Sequence, residues 1–96
     1  MKNCKKIELR KAAEKFIKSR TRKEQIRLLS KINELPAGEQ IKKMEGYDNR
    51  YRLRVGDFRV IYEIYQEEQI SETDGEPESV LIVRVLEAGN RGDVYK

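Results

Sequence analysis

Tyr51-Arg52-Leu53-Arg54-Val55-Gly56-Asp57-Phe58-Arg59-Val60-Ile61-Tyr62-Glu63-Ile64 is the stretch from which the rest of the chain can be placed. From Arg50 to Tyr65 apolar and polar side chains alternate with the period of half-buried strands, and Gly56-Asp57 interrupts the pattern at its centre. Glycine at the first of two turn positions is the signature of a type II′ hairpin. Val55 and Phe58 then pair as strand ends, which sets Arg54 opposite Arg59, Leu53 opposite Val60 and Arg52 opposite Ile61. One face carries Tyr51, Leu53, Val55, Phe58, Val60, Tyr62 and Ile64, and this is the core side. The other carries Arg50, Arg52, Arg54, Arg59, Ile61, Glu63 and Tyr65.

Upstream, Leu9, Ala12, Ala13, Phe16 and Ile17 recur at helical spacing and predict an amphipathic helix from about Leu9 to Arg20. Cys4 to Glu8, with Ile7, reads as an opening strand. Thr21-Arg22-Lys23-Glu24 is a capping box, in which hydroxyl and carboxylate satisfy each other's free backbone amides. It starts a second helix with Ile26, Leu29, Ile32 and Leu35 on its apolar face, ended by Pro36 and Gly38. Downstream, Val80 to Leu86 is a nearly continuous apolar strand broken only by Arg84. The polar, acidic Gln66 to Ser79, with Asp74-Gly75 and Pro77, reads as a loose hairpin tip. The expectation is an α+β fold, one β-α-α-β-β-β domain over residues 1–96, with a helical hairpin packed on an antiparallel sheet.

Charge is divided along the chain. Met1 to Tyr62 holds 18 Lys and Arg against 8 Asp and Glu, a net of +10; Glu63 to Lys96 holds 3 against 9, a net of −6. A basic body beside an acidic segment points to a polyanion-binding surface. Histidine is absent and Cys4 is the one cysteine, which excludes His/Cys zinc sites, His-dependent triads and an intrachain disulfide. No cofactor or metal is implied. The lysine-rich start has no apolar run, so it reads as neither signal peptide nor membrane span, and a reducing cytoplasm is the expected setting.

Like charges directly across a hairpin cost about 0.2–1 kcal/mol per pair, so folding alone does not favour Arg54 facing Arg59 with Arg52 and Arg50 beside them. Guanidinium groups stay charged at any working pH and match phosphate oxygens with two parallel hydrogen bonds, which makes a phosphate backbone the expected partner. Lys42 and Lys43 before the hairpin, and Arg91 after the last strand, extend the patch. Tyr95, close to that basic face, is placed to stack on an unpaired base.

Lys42-Lys43-Met44-Glu45-Gly46, the Tyr51–Ile64 run, Gly89-Asn90-Arg91 and Val94-Tyr95 together resemble the RelE/ParE toxin superfamily, in its RNA-cleaving, RelE-type branch. The resemblance follows the chain nearly throughout, and the central run is its most specific part. It implies a RelE-like fold and a toxin of a type II toxin-antitoxin system, a ribosome-dependent endoribonuclease (mRNA interferase) held inactive by a cognate antitoxin. It also implies metal-free attack of the ribose 2′-hydroxyl on the adjacent phosphorus. Carried over by position, Arg52 and Arg54 handle substrate and proton transfer, Arg59 and Arg91 stabilise the phosphorane-like transition state, and Tyr95 holds the nucleotide. Lys42, Lys43 and Arg50 contact RNA or ribosome. Relatives often carry lysine where this chain has Arg52 and Arg54, and arginine is a very poor general base. The base is then Tyr95, a carboxylate such as Asp93 or Glu87, or a ribosomal or RNA group. Three other readings are a ParE-like DNA gyrase inhibitor, a non-catalytic RNA- or ribosome-binding module, and an inert copy whose proton shuttle is lost with arginine at 52 and 54.

Overall fold

The computed structural model describes residues 2–90, with side chains from residue 4. The chain runs β1 (Lys2–Leu9), α1 (Lys11–Lys18), α2 (Arg22–Glu34), β2 (Ile41–Lys43), β3 (Arg50–Val55), β4 (Phe58–Ile70) and β5 (Pro77–Asn90). Five strands form one sheet in the order β1-β5-β4-β3-β2. The β3–β4 hairpin has the register the alternation predicts, with Val55 on Phe58, Arg54 on Arg59, Leu53 on Val60 and Arg52 on Ile61. Gly56 takes φ 58° while Asp57 stays out of the left-handed region, as a II′ turn requires.

The sheet is mixed, not antiparallel as expected: β1 lies parallel to β5, with Ile7 opposite Val83 and Leu9 opposite Val85. β5 is apolar on both faces, burying Val80, Ile82, Val83 and Val85, and a neighbour on each side satisfies its backbone. A helical excursion between β1 and the rest of the sheet permits the parallel direction. β2, absent from the sequence reading, adds a fifth strand by pairing Ile41 with Leu53 and Lys43 with Tyr51. Three residues are too few for a periodicity to reveal.

Helix α1 begins two residues later than predicted, because Leu9 is claimed by the β1 ladder; Ala13 and Ile17 are buried, and Ala12 is exposed. Phe16 meets Phe58 edge-on, ring centroids 5.8 Å apart. The α2 capping box is formed: Glu24 N donates to Thr21 Oγ1 at 3.2 Å and Thr21 N to Glu24 Oε1 at 3.1 Å. Its buried stripe is Leu28 and Ile32, continued by Leu35 at the C-cap, while Ile26 and Leu29, predicted inside, are 60% and 42% exposed. Both sets fit a helical period, and packing of α2 against the core residues of the sheet selects one. Each fully buried aliphatic side chain contributes about 1.5–3 kcal/mol, so the Leu28, Ile32, Leu53, Val60 and Val85 contacts hold the layers together.

The expected loose tip is mostly strand. β4 and β5 stay paired out to Ile70 and Pro77, leaving only residues 71–76 as a turn closed by Ser71 N to Glu76 O and Gly75 N to Ser71 O, both 2.9 Å. Backbone ladders do not depend on apolar side chains, which is why acidic composition misled here. A bulge at Ile61/Tyr62 keeps Tyr62 facing the helices beside Val85. Among the described residues no helix is long and apolar enough to cross a membrane.

Candidate nucleic-acid interface

Cross-strand partners share a face, so the ladder sets what meets on the side of the sheet away from the helices. One row is Lys42, Arg52, Ile61 and Glu87, and the next is Arg54, Arg59 and Gly89. Directly paired residues have Cβ atoms about 4.5–5.5 Å apart, and Arg52 and Arg54 are two strand steps apart, about 6.6 Å. Four of the predicted cations, Lys42, Arg52, Arg54 and Arg59, are therefore brought onto one patch. Gly89 adds no side chain beside Arg59, whose own side chain lies low on the sheet at 8% exposure. Ile61, on this same outer face, is only 4% exposed, so the long chains flanking it, Arg52 and Glu87, act as its cover.

Strand alternation turns Lys43 to the opposite side, opposite Tyr51. It still borders a surface depression of about 300 Å³ with Lys42, Met44, Glu45 and Arg52. Arg91 and Tyr95, the other predicted catalytic residues, and Asp93 lie outside the described residues. β5 delivers the chain to Asn90, opposite Phe58 and one position along from the Arg59–Gly89 pair.

Arg50 is differently engaged. Its Nη2 and Nε donate to Glu63 Oε2 at 2.7 and 3.2 Å, and the Tyr65 hydroxyl donates to the other carboxylate oxygen. The Tyr65 and Arg50 hydrogen bonds hold the Glu63 carboxyl below its ordinary range, and the same carboxylate raises Arg50. Arg84 continues the network, 5.1 Å over the Tyr65 ring and bonded through Nε to Glu8 Oε1 at 3.1 Å. The outer face thus carries Arg52, Arg54 and Arg59 toward one end and the Arg50–Glu63–Tyr65 network in its middle. Sequence alternation placed Glu63 on this face, where pairing with the arginines is the plain alternative to a phosphate partner, and Arg50 does pair with it; the third bond, from Tyr65, had no signal in the pattern. Tyr47, in the 44–49 connection, was missed altogether; its ring carries the Arg50 guanidinium 4.1 Å from its centroid.

Beneath this face, Tyr51 and Tyr62 stack with centroids 5.6 Å apart and planes 20° from parallel. Burial, and then proximity to Tyr51, push the Tyr62 phenol up to about 12. A second surface lies at the opposite sheet edge, where Ile7, Leu9, Ile26, Leu29 and Ile32 line an apolar groove between α2 and β1.

No protein-family model matches the sequence, and no curated protein matches it either. The fold is similar to a chain in the crystal structure of the RelB–RelE antitoxin–toxin complex from Methanococcus jannaschii, with a TM-score of 0.63 over 92% of this chain and 94% of that one. Identity is 22%, so the likeness is one of fold.

Proposed function

We propose that this chain is the toxin of a toxin-antitoxin pair, a RelE-type endoribonuclease that cuts messenger RNA on the ribosome. The observation that carries the reading is the patch of Lys42, Arg52, Arg54 and Arg59 on one face of a rigid hairpin. In the reaction the ribose 2′-oxygen bonds to phosphorus as the bond to the 5′-oxygen breaks, leaving a 2′,3′-cyclic phosphate and a 5′-hydroxyl. Arg59, with Arg91, balances the charge that builds on the phosphoryl oxygens; Arg52 and Arg54 grip the flanking phosphates. The 2′-hydroxyl proton leaves to a group other than these arginines, and the leaving oxygen gains a proton. Glu87 shares the Arg52 row, whereas the Glu63 oxygens are taken by Arg50 and Tyr65.

The likeness to a chain of an antitoxin–toxin complex supports a cognate antitoxin as the partner. The α2–β1 groove suits an amphipathic helix with an apolar stripe, and Lys5, whose Nζ donates to the carbonyl of the lining residue Asn33, favours an acidic flank. The test is incubation of message with programmed ribosomes and mapping of new 5′ ends. In-frame cuts are expected, falling at least about 100-fold in rate on Arg59→Ala, the usual loss of one preorganised transition-state donor. Message retained but uncut would make the chain an RNA- or ribosome-binding module; neither, with gyrase inhibited, would make it ParE-like.

A further inference from the structure

The 44–49 connection is anchored at both ends, by Met44 N to Arg50 O at 2.9 Å and by Ile64 N to Asn49 O at 3.1 Å, with Asn49 Nδ2 donating to Ile64 O at 3.2 Å. It holds an aromatic ring, Tyr47, that is 45% exposed although one face is covered by a guanidinium. Arg50 cannot drift from under that ring, because Glu63 grips it through two nitrogens. The same carboxylate neutralises Arg50, which removes it from the phosphate-binding set and leaves it as support for the ring. Along the same strand, Arg52 faces outward two residues away, bordering the depression lined by Lys42, Lys43, Met44 and Glu45. A fixed π-surface beside a cationic depression meets the two requirements for holding a single-stranded nucleotide, a stacking platform and phosphate-matching charge.

We infer that Tyr47, backed by Arg50 and Glu63, is a stacking platform for one unpaired nucleobase of a bound RNA strand, next to the phosphate contacts of Lys42 and Arg52. This rests on the RNA-binding reading above and adds a base-contacting residue to it. The stack is not an ion contact, so it is separable from phosphate binding by its indifference to salt.

The test uses the full chain and a single-stranded RNA of about eight nucleotides, 2′-O-methylated throughout so that no 2′-hydroxyl can attack, together with a set of oligonucleotides carrying one abasic position each. Tyr47→Ala and Tyr47→Leu are expected to weaken binding about 5- to 150-fold, the roughly 1–3 kcal/mol of one base–aromatic stack, with an unchanged salt slope. Tyr47→Phe and Tyr47→Trp are expected to bind as wild type does, which also reports an intact fold. With the abasic position at the platform, wild type and Tyr47→Ala are expected to bind alike. If Tyr47→Ala and Tyr47→Leu bind within about twofold of wild type while Arg52→Ala weakens binding, the platform is refuted and the RNA reading stands. If neither class of variant changes binding, both fall together.

Discussion

Glu63→Ala is expected to lower stability by about 2–3 kcal/mol. The carboxylate accepts two hydrogen bonds from Arg50 and one from Tyr65, and hydrogen bonds to charged groups are worth about 1.5–3 kcal/mol each when shielded from water. The Arg50 and Glu63 side chains are 28% and 11% exposed, so water recovers part of the loss, and the total falls near the value of one such bond. At about 4–8 °C per kcal/mol for a domain of this size, thermal unfolding followed by circular dichroism at neutral pH should drop by about 10–20 °C. Glu63→Gln, which can still accept from Arg50, should lose about half as much. The pH dependence follows from the direction of the shift. A carboxyl held below its unfolded value of about 4.3 contributes stability that is fully present above that value and is lost as pH falls through the folded one. The gap between wild type and Glu63→Gln should therefore be constant near neutrality and close in acid. A gap that persists unchanged into acid, or a Glu63→Ala midpoint equal to wild type, refutes the assigned network.

Tyr62 is fully buried and its hydroxyl has no hydrogen-bond partner among the described residues, so Tyr62→Phe should stabilise by about 1 kcal/mol, visible as a midpoint about 4–8 °C higher. Because burial raises that phenol to about 12, its neutral form supports the fold fully below the unfolded value of about 10, and the support is lost as pH climbs through about 12. Alkaline unfolding, tracked with tyrosinate absorbance, should accordingly move to higher pH in the phenylalanine variant. Gly56→Ala places a side chain at φ 58° and its Cβ 2.9 Å from the end of Arg27, which can swing away; the left-handed backbone is the main cost, about 1–2 kcal/mol by denaturant titration, and no loss would contradict the II′ turn.

The hairpin was legible because its information is local: a glycine at one turn position and strict alternation on either side set every pair from Val55–Phe58 to Arg52–Ile61. From those pairs the clustering of Arg52, Arg54 and Arg59 followed directly. What stayed hidden depends on distant parts of the chain. Nothing in Ile7 or Leu9 tells which strand they join or in which direction, since parallel pairing leaves no turn in the sequence. Ile26 and Leu29 compete with Leu28 for the buried face of α2 at the same period, and only the position of β3 decides between them. The hairpin register sets Arg50 opposite Glu63, but nothing in the sequence says that the 44–49 connection folds Tyr47 over that pair, so a tyrosine after Gly46 reads as an ordinary turn residue.

β4 carries Arg59 near its start, among cations, and Glu67 and Glu68 toward its far end, about 30 Å away at the usual rise per strand residue. A strand pair with its charges sorted to its two ends acts as an electric dipole. Near a phosphate-rich surface it feels a torque before it makes contact, the acidic arm swinging outward while the arginine end turns in. If the arginine patch binds RNA as proposed, productive collisions then need less rotational searching than the small size of that patch would require, and added salt should slow arrival before it weakens the bound state.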